Sequence, residues 1–404
     1  MSQRFLDRLL NPKSIAVIGA SSRKRHVGHV VMRNLLAGEF HGPVMPVNPR
    51  HAAIAGVLCY PDIASLPLTP DLALICTRRE TVPGLIEELG ARGTRMVIVM
   101  AANMATTSGP DGRTLEALML EAARRHEVRI LGGSSLGVMA AYQGVNATFS
   151  PARIKPGPIG FVSQSDAVGM MVLDWAASKQ VGFSHVVSIG DGADVGFGEV
   201  LDFLGSDPST RAIVLYLESI RDRPTFMAAA RAAARNKPVL AIKAGRSPRN
   251  AQHGISDPLL LDVPSLISAD EVYGAAMRRA GILRVEQIDE LFGAVETLAR
   301  SRPMTGERLV AIGNGGGAGM MVEDCLHMGG YAMPALAPAT VDRLRPYLPS
   351  WRGGNPIDIP VDAAPQIYEK VLRVLREQRD GDVILLMHTP TALTSSSEMA
   401  EAAI

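Results

Sequence analysis

Short uninterrupted apolar runs alternate with longer amphipathic segments along the whole chain. The apolar runs, such as Ile15–Ile18 and Met96–Val99, have no polar residue at alternate positions. That pattern is typical of strands in a parallel sheet that is covered on both faces. The segment Thr114–His126 instead places leucines on one helical face and charged residues opposite them. This alternation predicts an α/β protein built on parallel sheets.

Two breaks rich in proline, glycine or arginine divide the predicted elements into three domains. The break at Lys155–Gly160 places one boundary near residue 150, and Arg302-Pro303 marks the other. We therefore predict domains at 1–150, 151–301 and 302–404. Because the last of these ends inside a predicted helix after few strands, we expect it to be truncated.

Strands and helices alternate within each predicted domain. The first has predicted strands at Ile15–Ile18, Pro43–Val47, Leu72–Cys76, Met96–Val99 and Arg129–Leu131, and helices at Val30–Leu36, Val82–Gly90 and Thr114–His126. The second has predicted strands at Ile159–Ser163, His185–Ile189, Ala212–Glu218 and Val239–Lys243, and helices at Ala167–Lys179, Phe197–Leu204, Thr225–Asn236, Ala269–Ala280 and Ile288–Arg300. The third has predicted strands at Leu309–Gly313 and Asp382–His388, and helices at Met320–His327 and Gln366–Arg376.

Composition narrows the class of protein. With 404 residues and 47% hydrophobic content, the chain can bury a large core. Its formal net charge is +1, so no overall field favours nucleic acid or a membrane surface as a partner. Three separated cysteines without a CxxC pair fit a reducing cytoplasm and argue against a metal site. No signal peptide and no apolar run of about 18 residues is present, so we expect a soluble cytoplasmic protein.

The stretch Ser14–Gly28 has the layout of a phosphate-binding turn. An apolar strand runs into Gly19, Ala20 and Ser21, and a helix-compatible segment follows Gly28. Backbone N–H groups at such a turn and at the following helix N-terminus can hold a phosphate. The alternative is a turn that binds nothing.

The details of this first turn disfavour NAD as its ligand. The GxGxxG fingerprint is absent, and Val47, Asn48 and Pro49 stand where a dinucleotide site has an acidic residue. A phosphorylated adenosine ligand that is held in another way fits these residues better.

A second strand-to-helix turn carries Ser163, Gln164 and Ser165. Its hydroxyl and N–H groups predict a phosphate seat, although plain helix capping would explain the serines equally well. Glu218 ends a buried strand, where its carboxylate could orient a histidine. His253, in a polar loop, is the candidate histidine for phosphorylation, and its alternative role is that of an ordinary surface residue.

Eight segments in order resemble the NDP-forming acyl-CoA synthetase superfamily, the relatives of the succinyl-CoA synthetase α subunit. They are SIAVIGAS (14–21), PVNP (46–49), SQS (163–165), SIGDGADV (188–195), LYLES (215–219), KPVLAIKAGRS (237–247), NGGGAG (314–319) and NPIDI (355–359). The resemblance implies a Rossmann-like CoA-binding domain followed by two flavodoxin-like, succinyl-CoA-ligase-type domains.

The resemblance also implies a ligand and its contacts. The ligand would be CoA or acetyl-CoA, with an acyl-CoA as the small-molecule partner. Its pyrophosphate would lie on Gly19, Ala20, Ser21 and Gly28, its adenosine beside Val47, Asn48 and Pro49, and its pantetheine arm near Cys76 and Thr77. A buried apolar role for Cys76 is the alternative. ATP or ADP with Mg²⁺ would enter only through an ATP-grasp segment or subunit, which nothing in this sequence resembles, and a homo-oligomer is possible.

Three segments resemble one branch of the superfamily, the bacterial protein lysine acetyltransferases. They are RNLLAGEF (33–40), PDIASLPLTPDLALICT (61–77) and YQGVNATFSP (142–151). In that branch the synthetase-like region precedes an ATP-grasp segment and a GNAT domain. The first interpretation is therefore a CoA-binding region that regulates such a transferase.

Departures from the family pattern favour the same interpretation. His253 is followed by Gly254 rather than by Thr-Gly, and Asp166 and Asp191 replace the family's Gly and Asn. These two carboxylates would oppose a phosphorylated histidine through like-charge repulsion, so the histidine chemistry is predicted to be degraded. Two alternatives stay open: an active α-type subunit of an NDP-forming acyl-CoA ligase that uses phospho-His253, and a non-catalytic CoA-binding protein.

Overall fold

A computed structural model describes residues 5–109, 111–246, 269–300, 306–392 and 395–403. The chain divides into two compact units, 1–301 and 302–404. The first unit contains two large sheets, and the second contains a small one. His253 lies outside the described residues.

The first sheet has five parallel strands in the order β2-β1-β5-β6-β7. These are β1 (Ile15–Ile18), β2 (Val44–Val47), β5 (Leu72–Ile75), β6 (Met96–Val99) and β7 (Arg129–Gly132), with the short pair β3 (Ala53–Ile54) and β4 (Val57–Leu58) between β2 and β5. After β1 the chain forms β2 on one side of it and later returns to form β5 on its other side. The strand order therefore reverses between β1 and β5. Such a switch point leaves a crevice at the carboxyl ends of the strands.

The second sheet has seven strands in the order β14-β13-β12-β10-β11-β8-β9. Its strands are β8 (Gly137–Ala140), β9 (Val145–Thr148), β10 (Pro156–Ser163), β11 (Phe183–Ser188), β12 (Ala212–Leu217), β13 (Val239–Lys243) and β14 (Leu283–Val285). Strands β10 to β14 are parallel. The order reverses again between β10 and β12, which creates a second switch point.

The edge hairpin β8–β9 differs from the sequence prediction of purely parallel sheets. Strand β8 pairs antiparallel with β11, and β9 pairs antiparallel with β8. The apolar run of β8 therefore belongs to the second sheet, although it lies before the predicted boundary near residue 150. The chain passes from the first sheet to the second between β7 and β8. The boundary near residue 150 was predicted for domains rather than for sheets, and it stays a prediction. A hairpin closes a sheet edge without a crossover helix, which explains why alternation of strands and helices did not indicate it.

Helices cover both faces of the two sheets. In the first unit they are α1 (Leu6–Leu10), α2 (Val27–Leu36), α3 (Val82–Ala91), α4 (Leu115–Arg125), α5 (Asp166–Lys179), α6 (Phe197–Ser206), α7 (Arg223–Asn236), α8 (Ala269–Ala280) and α9 (Ile288–Arg300). One apolar cluster continues from the first sheet into the second and includes Leu74, Val138 and Val187. The two switch points of this unit are therefore joined by a continuous core.

The second unit holds a three-stranded parallel sheet in the order β16-β15-β17. Its elements are β15 (Leu309–Gly313), α10 (Gly316–Met328), α11 (Pro338–Leu344), β16 (Ile357–Asp358), α12 (Pro365–Gln378), β17 (Val383–Met387) and α13 (Ser396–Ala403). Its core packs Val310 and Ile312 of the central strand against Tyr368 and Val371 of α12. Among the described residues, no helix is both long and apolar enough to cross a bilayer.

His185 is a buried titratable group in the middle of the second sheet. Its imidazole is 1% exposed, and its Nδ1 lies 3.5 Å from Asp207 Oδ2. The Phe203 ring meets it edge-on at 5.7 Å between centroids. Burial lowers the pKa of His185; the charge of Asp207 opposes this shift and that of Lys237 adds to it. The folded protein therefore holds this side chain in its neutral form.

We predict that His185 makes stability fall at acid pH. Because its folded pKa lies below the unfolded value of about 6.5, the unfolded chain binds more protons as the pH drops through that value. The contribution is complete above about pH 6.5 and is lost below it, with a slope of up to about 1.4 kcal/mol per pH unit. Urea unfolding of the wild type and of His185→Gln across this window measures the difference in slope.

The control is His41→Gln, which removes an exposed histidine. It should leave the slope of the unfolding free energy against pH unchanged, whereas His185→Gln should flatten it. Equal slopes for the wild type and His185→Gln would show that another group titrates.

Candidate functional site

The first switch point brings the turn after β1 against the first residue of α2 and the end of β5. Gly19 has φ +83°, and a Cβ there would lie 2.7 Å from Thr77 Cγ2. A Cβ on Gly28 would lie 2.1 Å from the Gly19 carbonyl oxygen. Only glycine allows this approach of helix to turn, so both residues fix the backbone of the site.

Asn48 ties the end of β2 to the same turn. Its Nδ2 donates to the Ala20 carbonyl oxygen at 2.7 Å, and its Oδ1 accepts from the Arg50 N–H at 2.9 Å. His29 Nδ1 lies 3.3 Å from the Ser21 carbonyl oxygen. Asn48 thus acts as a positioning residue for the turn, a role that the sequence analysis did not assign to it.

The structure brings most of the predicted CoA contacts together but turns two side chains away. Val47, the last residue of β2, and Cys76, the residue after β5, are 5% and 7% exposed, because both side chains lie in the core. The Cys76 thiol lies 3.6 Å from Met100 Sδ, and burial raises its pKa to about 12. The Cys76 side chain therefore has the buried apolar role that was its alternative. Of the residues predicted beside the adenosine and the pantetheine arm, Thr77 is half-buried and Pro49 is exposed.

The turn offers backbone donors that fit a phosphate-bearing ligand. Gly19 N–H is used by the Val47 carbonyl, at 3.0 Å. Within the part of the chain that the structure describes, the N–H groups of Ala20 and Ser21 have no acceptor. Together with the first N–H groups of α2, they form the donor set that an anion requires. These residues fit the pyrophosphate of CoA.

Gln164 organises the second switch point. Its Oε1 accepts from the N–H groups of Glu218 and Ser219, at 2.7 and 2.9 Å, and its Nε2 donates to Ser219 Oγ at 3.3 Å. The amide therefore spans from the end of β10 to the end of β12. This places the backbone of Glu218 beside the predicted phosphate seat.

The two serines of that seat are engaged in local hydrogen bonds. Ser163 Oγ donates to the Ser165 carbonyl at 2.8 Å and accepts from the Ser165 N–H at 3.1 Å. Ser165 Oγ accepts from the Val168 N–H at 3.4 Å and caps α5. Helix capping thus describes the Ser165 hydroxyl, whereas the Ser163 hydroxyl bonds the backbone of Ser165. A phosphate seat here would depend on the N–H groups of the first turn of α5.

Asp166 and Asp191 are both engaged by neighbours near this helix start. Asp166 Oδ1 accepts from Ser188 Oγ at 2.7 Å and from the Leu136 N–H at 3.0 Å. Asp191 Oδ2 accepts from Ser134 Oγ at 3.1 Å. Burial raises the pKa of both carboxyls, and the Asp191 charge adds to the shift of Asp166. Asp166 thus anchors the loop before β8, a structural role that the sequence did not indicate.

A polar cleft of about 380 Å³ opens beside the loop that carries Glu218. It is lined by Gln164, Asp191, Ser219 and the first residues of α6 and α7. One wall is braced by Arg129, whose Nε donates to Asp194 Oδ2 at 2.9 Å and whose Nη2 donates to Glu199 Oε1 at 3.3 Å. Arg129 belongs to none of the motifs that the sequence analysis singled out. Only the fold brings it next to this cleft.

The end of β13 contributes a residue that the motifs did not single out. Lys243 is 6% exposed, and its charge lowers the pKa of Glu218. In the described ranges, no three His, Cys, Asp or Glu side chains come together as metal ligands.

The Gly-rich turn after β15 shares the design of the other two. Asn314 Oδ1 accepts from the Thr389 N–H at 2.7 Å, and Asn314 Nδ2 donates to the Thr389 carbonyl at 2.9 Å. Gly315 has φ +130° at the start of α10. The contacts of Asn314 tie the turn to the segment after β17.

The fold defines an α/β protein with switch points in its two large sheets, the first of which carries the candidate ligand site. A CoA binding domain model matches residues 13–141, and a model of the succinyl-CoA ligase like flavodoxin domain matches residues 156–298. The chain belongs to the NDP-forming acyl-CoA synthetase family. Within that family it is similar to the α subunits, which resemble succinyl-CoA ligase.

Two curated relatives match almost the whole chain. It is 34% identical over 99% of its length to acetate–CoA ligase [ADP-forming] I of Archaeoglobus fulgidus, of which it covers 57%. It is 33% identical, again over 99% of its length, to the α subunit of acetate–CoA ligase [ADP-forming] I of Pyrococcus furiosus, of which it covers 86%. The chain thus spans little more than half of the first relative and most of the second.

A solved structure is similar over the same extent. The apo form of dinucleotide forming acetyl-coenzyme A synthetase 1 of Candidatus Korarchaeum cryptofilum aligns with a TM-score of 0.89 at 30% identity, over 98% of this chain and 85% of that one. The same enzyme in complex with phosphate and ADP aligns with a TM-score of 0.89 at 29% identity. These findings support the α-type ligase alternative better than the acetyltransferase interpretation, which they do not support.

We predict that Gly28→Ala destabilises the protein whereas Gly84→Ala does not. The new methyl at residue 28 would overlap the Gly19 carbonyl, while nothing lies within 4 Å of a Cβ at residue 84 in α3. Overpacking of this kind costs about 1–3 kcal/mol, and a strain-free helical Gly→Ala gains about 0.4–1 kcal/mol. Urea unfolding of the two variants measures both free energies. Equal stability of the two would contradict the close approach of α2 to the turn.

Proposed function

We propose that the chain is an α-type subunit or region of an NDP-forming acyl-CoA ligase. The observation that carries this proposal is the pairing of two switch-point sites in one unit, one suited to CoA and the other carrying Glu218 beside a helix N-terminus. The similarity to α subunits of ADP-forming acetate–CoA ligases supports it.

The proposed reaction uses the two sites in sequence. Phosphate attacks the thioester carbonyl of acyl-CoA, the C–S bond breaks, and the CoA thiol leaves with an acyl phosphate as the other product. His253 then takes the phosphoryl group from the acyl phosphate and releases the free acid. Phospho-His253 finally donates this group to ADP, which becomes ATP. Glu218 would accept the imidazole N–H that faces away from the reacting nitrogen and orient the ring.

The CoA part of the proposal depends on the first turn. Ala20 and Ser21 supply unused N–H groups, and the exposed loop Arg23-Lys24-Arg25 follows at once. Cations next to a phosphate seat favour the negatively charged ligand. We place the pyrophosphate on this turn and the pantetheine arm toward Thr77.

The nucleotide part requires a further segment or subunit. No ATP-grasp element was indicated by the sequence, and Mg²⁺ would accompany ADP or ATP in that partner, where it would neutralise phosphate charge. The relative solved with phosphate and ADP supports nucleotide binding in the complete ligase.

We predict that Arg23→Glu weakens CoA binding while Arg124→Glu does not. Both arginines are exposed and both changes alter the net charge equally, but only Arg23 adjoins the turn. The added repulsion should cost about 1.4 kcal/mol, or about tenfold in Kd. Isothermal titration of CoA into the purified chain and the two variants measures it. Absence of CoA binding by the wild-type chain would refute the CoA site.

We predict that His253 carries the phosphoryl group. The chain mixed with an ATP-grasp ligase subunit and γ-labelled ATP should acquire acid-labile label, and His253→Ala should abolish it. Glu218→Gln should lower the labelling rate by about 10²-fold or more, since a neutral amide no longer orients the imidazole as a carboxylate does.

The matched control is His126→Ala at the C-terminal end of α4, which should label like the wild type. If His253→Ala labels as well as the wild type, the ligase mechanism is wrong. If CoA binds but no variant and no wild-type chain labels, the chain is a non-catalytic CoA-binding protein.

A further inference from the structure

The C-terminal ends of α7 and α8 form a cleft of about 490 Å³ that the two switch points do not use. Its walls carry arginines from both helices, Arg231 and Arg235 of α7 and Arg278 and Arg279 of α8. The other residues that line it are alanine and glycine. Among the described residues, no carboxylate lines this cleft. Its lining therefore carries charge of one sign, and we name it the arginine cleft.

A close contact between the two helix ends forms the base of the arginine cleft. Helix α8 ends at Ala280, and Gly281 follows it with φ +79°. A Cβ on Gly281 would lie 3.3 Å from Ala234 Cβ of α7. Because the helix ends approach this closely, arginine side chains from both helices surround one concave space.

The cleft arginines have no partner of opposite charge in the part of the chain that the structure describes. Their side chains form no hydrogen bond and no ion pair there. Arginines at the ends of two other helices are paired. Arg125 of α4 contacts Glu121 and Glu87, and Arg300 Nη2 of α9 lies 3.0 Å from Glu296 Oε1. The arginine cleft thus lacks the carboxylates that neutralise those helix ends.

The helix dipoles offset only part of this positive charge. A helix C-terminus carries about half a negative charge, so the two ends offset about one of the four arginine charges. Two of the last carbonyls of α8 already accept from backbone. The Gly281 N–H donates to the Arg278 carbonyl at 3.1 Å, and the Ile282 N–H donates to the Met277 carbonyl at 2.9 Å. An excess of about three positive charges therefore remains for an anion from outside the chain.

The arginine cleft lies at the opposite edge of the second sheet from Glu218. Helix α7 leads into β13, and α8 leads into β14. Because the C-terminal ends of these helices precede parallel strands, the cleft lies at the amino edge of the sheet. The second switch point lies at the carboxyl edge. A ligand in the cleft is therefore separate from the phosphate seat beside Glu218.

We propose that the arginine cleft binds a polyphosphate, which is either a free inorganic chain or the triphosphate of a nucleotide. A guanidinium group presents parallel N–H donors that match two phosphate oxygens, and cations that line one concavity add their fields. A triphosphate carries at least one negative charge on each phosphate, which balances the excess in the cleft. The volume of about 490 Å³ suits a small-molecule ligand. Binding at this cleft does not depend on the ligase function.

Isothermal titration of sodium tripolyphosphate into the chain measures this binding. We expect saturable binding that weakens as the salt concentration rises, because salt screens exposed charges. The double variant Arg278→Gln/Arg279→Gln should weaken binding by about tenfold or more, since it removes two charge-assisted donors. Both arginines are exposed, so the substitutions leave the core intact.

The matched control is Arg124→Gln/Arg125→Gln at the end of α4. It removes the same charge from an exposed arginine pair in the last turn of a helix, and it should bind tripolyphosphate like the wild type. The proposal is overturned if the wild-type chain does not bind, or if Arg278→Gln/Arg279→Gln binds with the wild-type affinity.

Chemical protection locates the bound probe without any substitution. Phenylglyoxal modifies accessible arginines, and peptide mapping gives the rate of modification at each of them. Tripolyphosphate should slow the modification of the four cleft arginines and leave Arg124 unchanged. Protection confined to Arg23 and Arg25 beside the first turn would overturn the proposal, because the probe would then occupy the candidate CoA site.

ATP in the same two experiments distinguishes the two sources of the phosphate chain. If ATP protects the cleft arginines and binds more tightly than tripolyphosphate, the ligand is a nucleotide. If the cleft binds tripolyphosphate at least as tightly as ATP, the ligand is the free chain, and either result supports the site. CoA binding at the first turn is measured separately, so its absence would refute the proposed function and leave the polyphosphate result standing.

Discussion

The side-chain amide at each switch point is the interaction on which the site regions depend. At a switch point, the segments that follow two neighbouring parallel strands diverge to opposite sides of the sheet. The backbone N–H and C=O groups just beyond the strand ends then have no partner in the sheet. Asn48, Gln164 and Asn314 each use one amide to bond backbone on a neighbouring segment. An amide can do this because it both donates and accepts. The crevices stay open because single side chains, rather than additional strands, form hydrogen bonds with the backbone groups that line them.

Close backbone approach is the second constraint at the first site. The start of α2 lies against the turn after β1 so tightly that a methyl on Gly28 would reach the Gly19 carbonyl. This approach brings the first turn of the helix against the turn that carries Ala20 and Ser21. An anion site built from backbone needs no charged side chain inside it, which explains why the arginines remain on the exposed loop that follows.

Charge is managed differently at the second site, where several carboxyls are buried. Asp166 and Asp191 each accept hydrogen bonds from serine hydroxyls or backbone, and burial raises the pKa of both. Glu218 is the carboxyl with a buried lysine nearby. The two aspartates that were taken as evidence against histidine chemistry therefore have hydrogen-bond donors of their own. The similarity to α subunits of ADP-forming ligases supports the ligase alternative, and the role of His253 stays a prediction.

The sequence by itself predicted most of the long strands and helices. Strands such as Ile15–Ile18 and Val239–Lys243 and helices such as Ile288–Arg300 were predicted at the observed bounds, because continuous apolar runs and amphipathic spacing are local signals. Tertiary structure alone decided the edge hairpin β8–β9, the burial of the Cys76 thiol and the bracing by Arg129. Each of these depends on sheet order and register, which bring together residues that are distant in the chain, and no local pattern of hydrophobic and polar positions encodes that order.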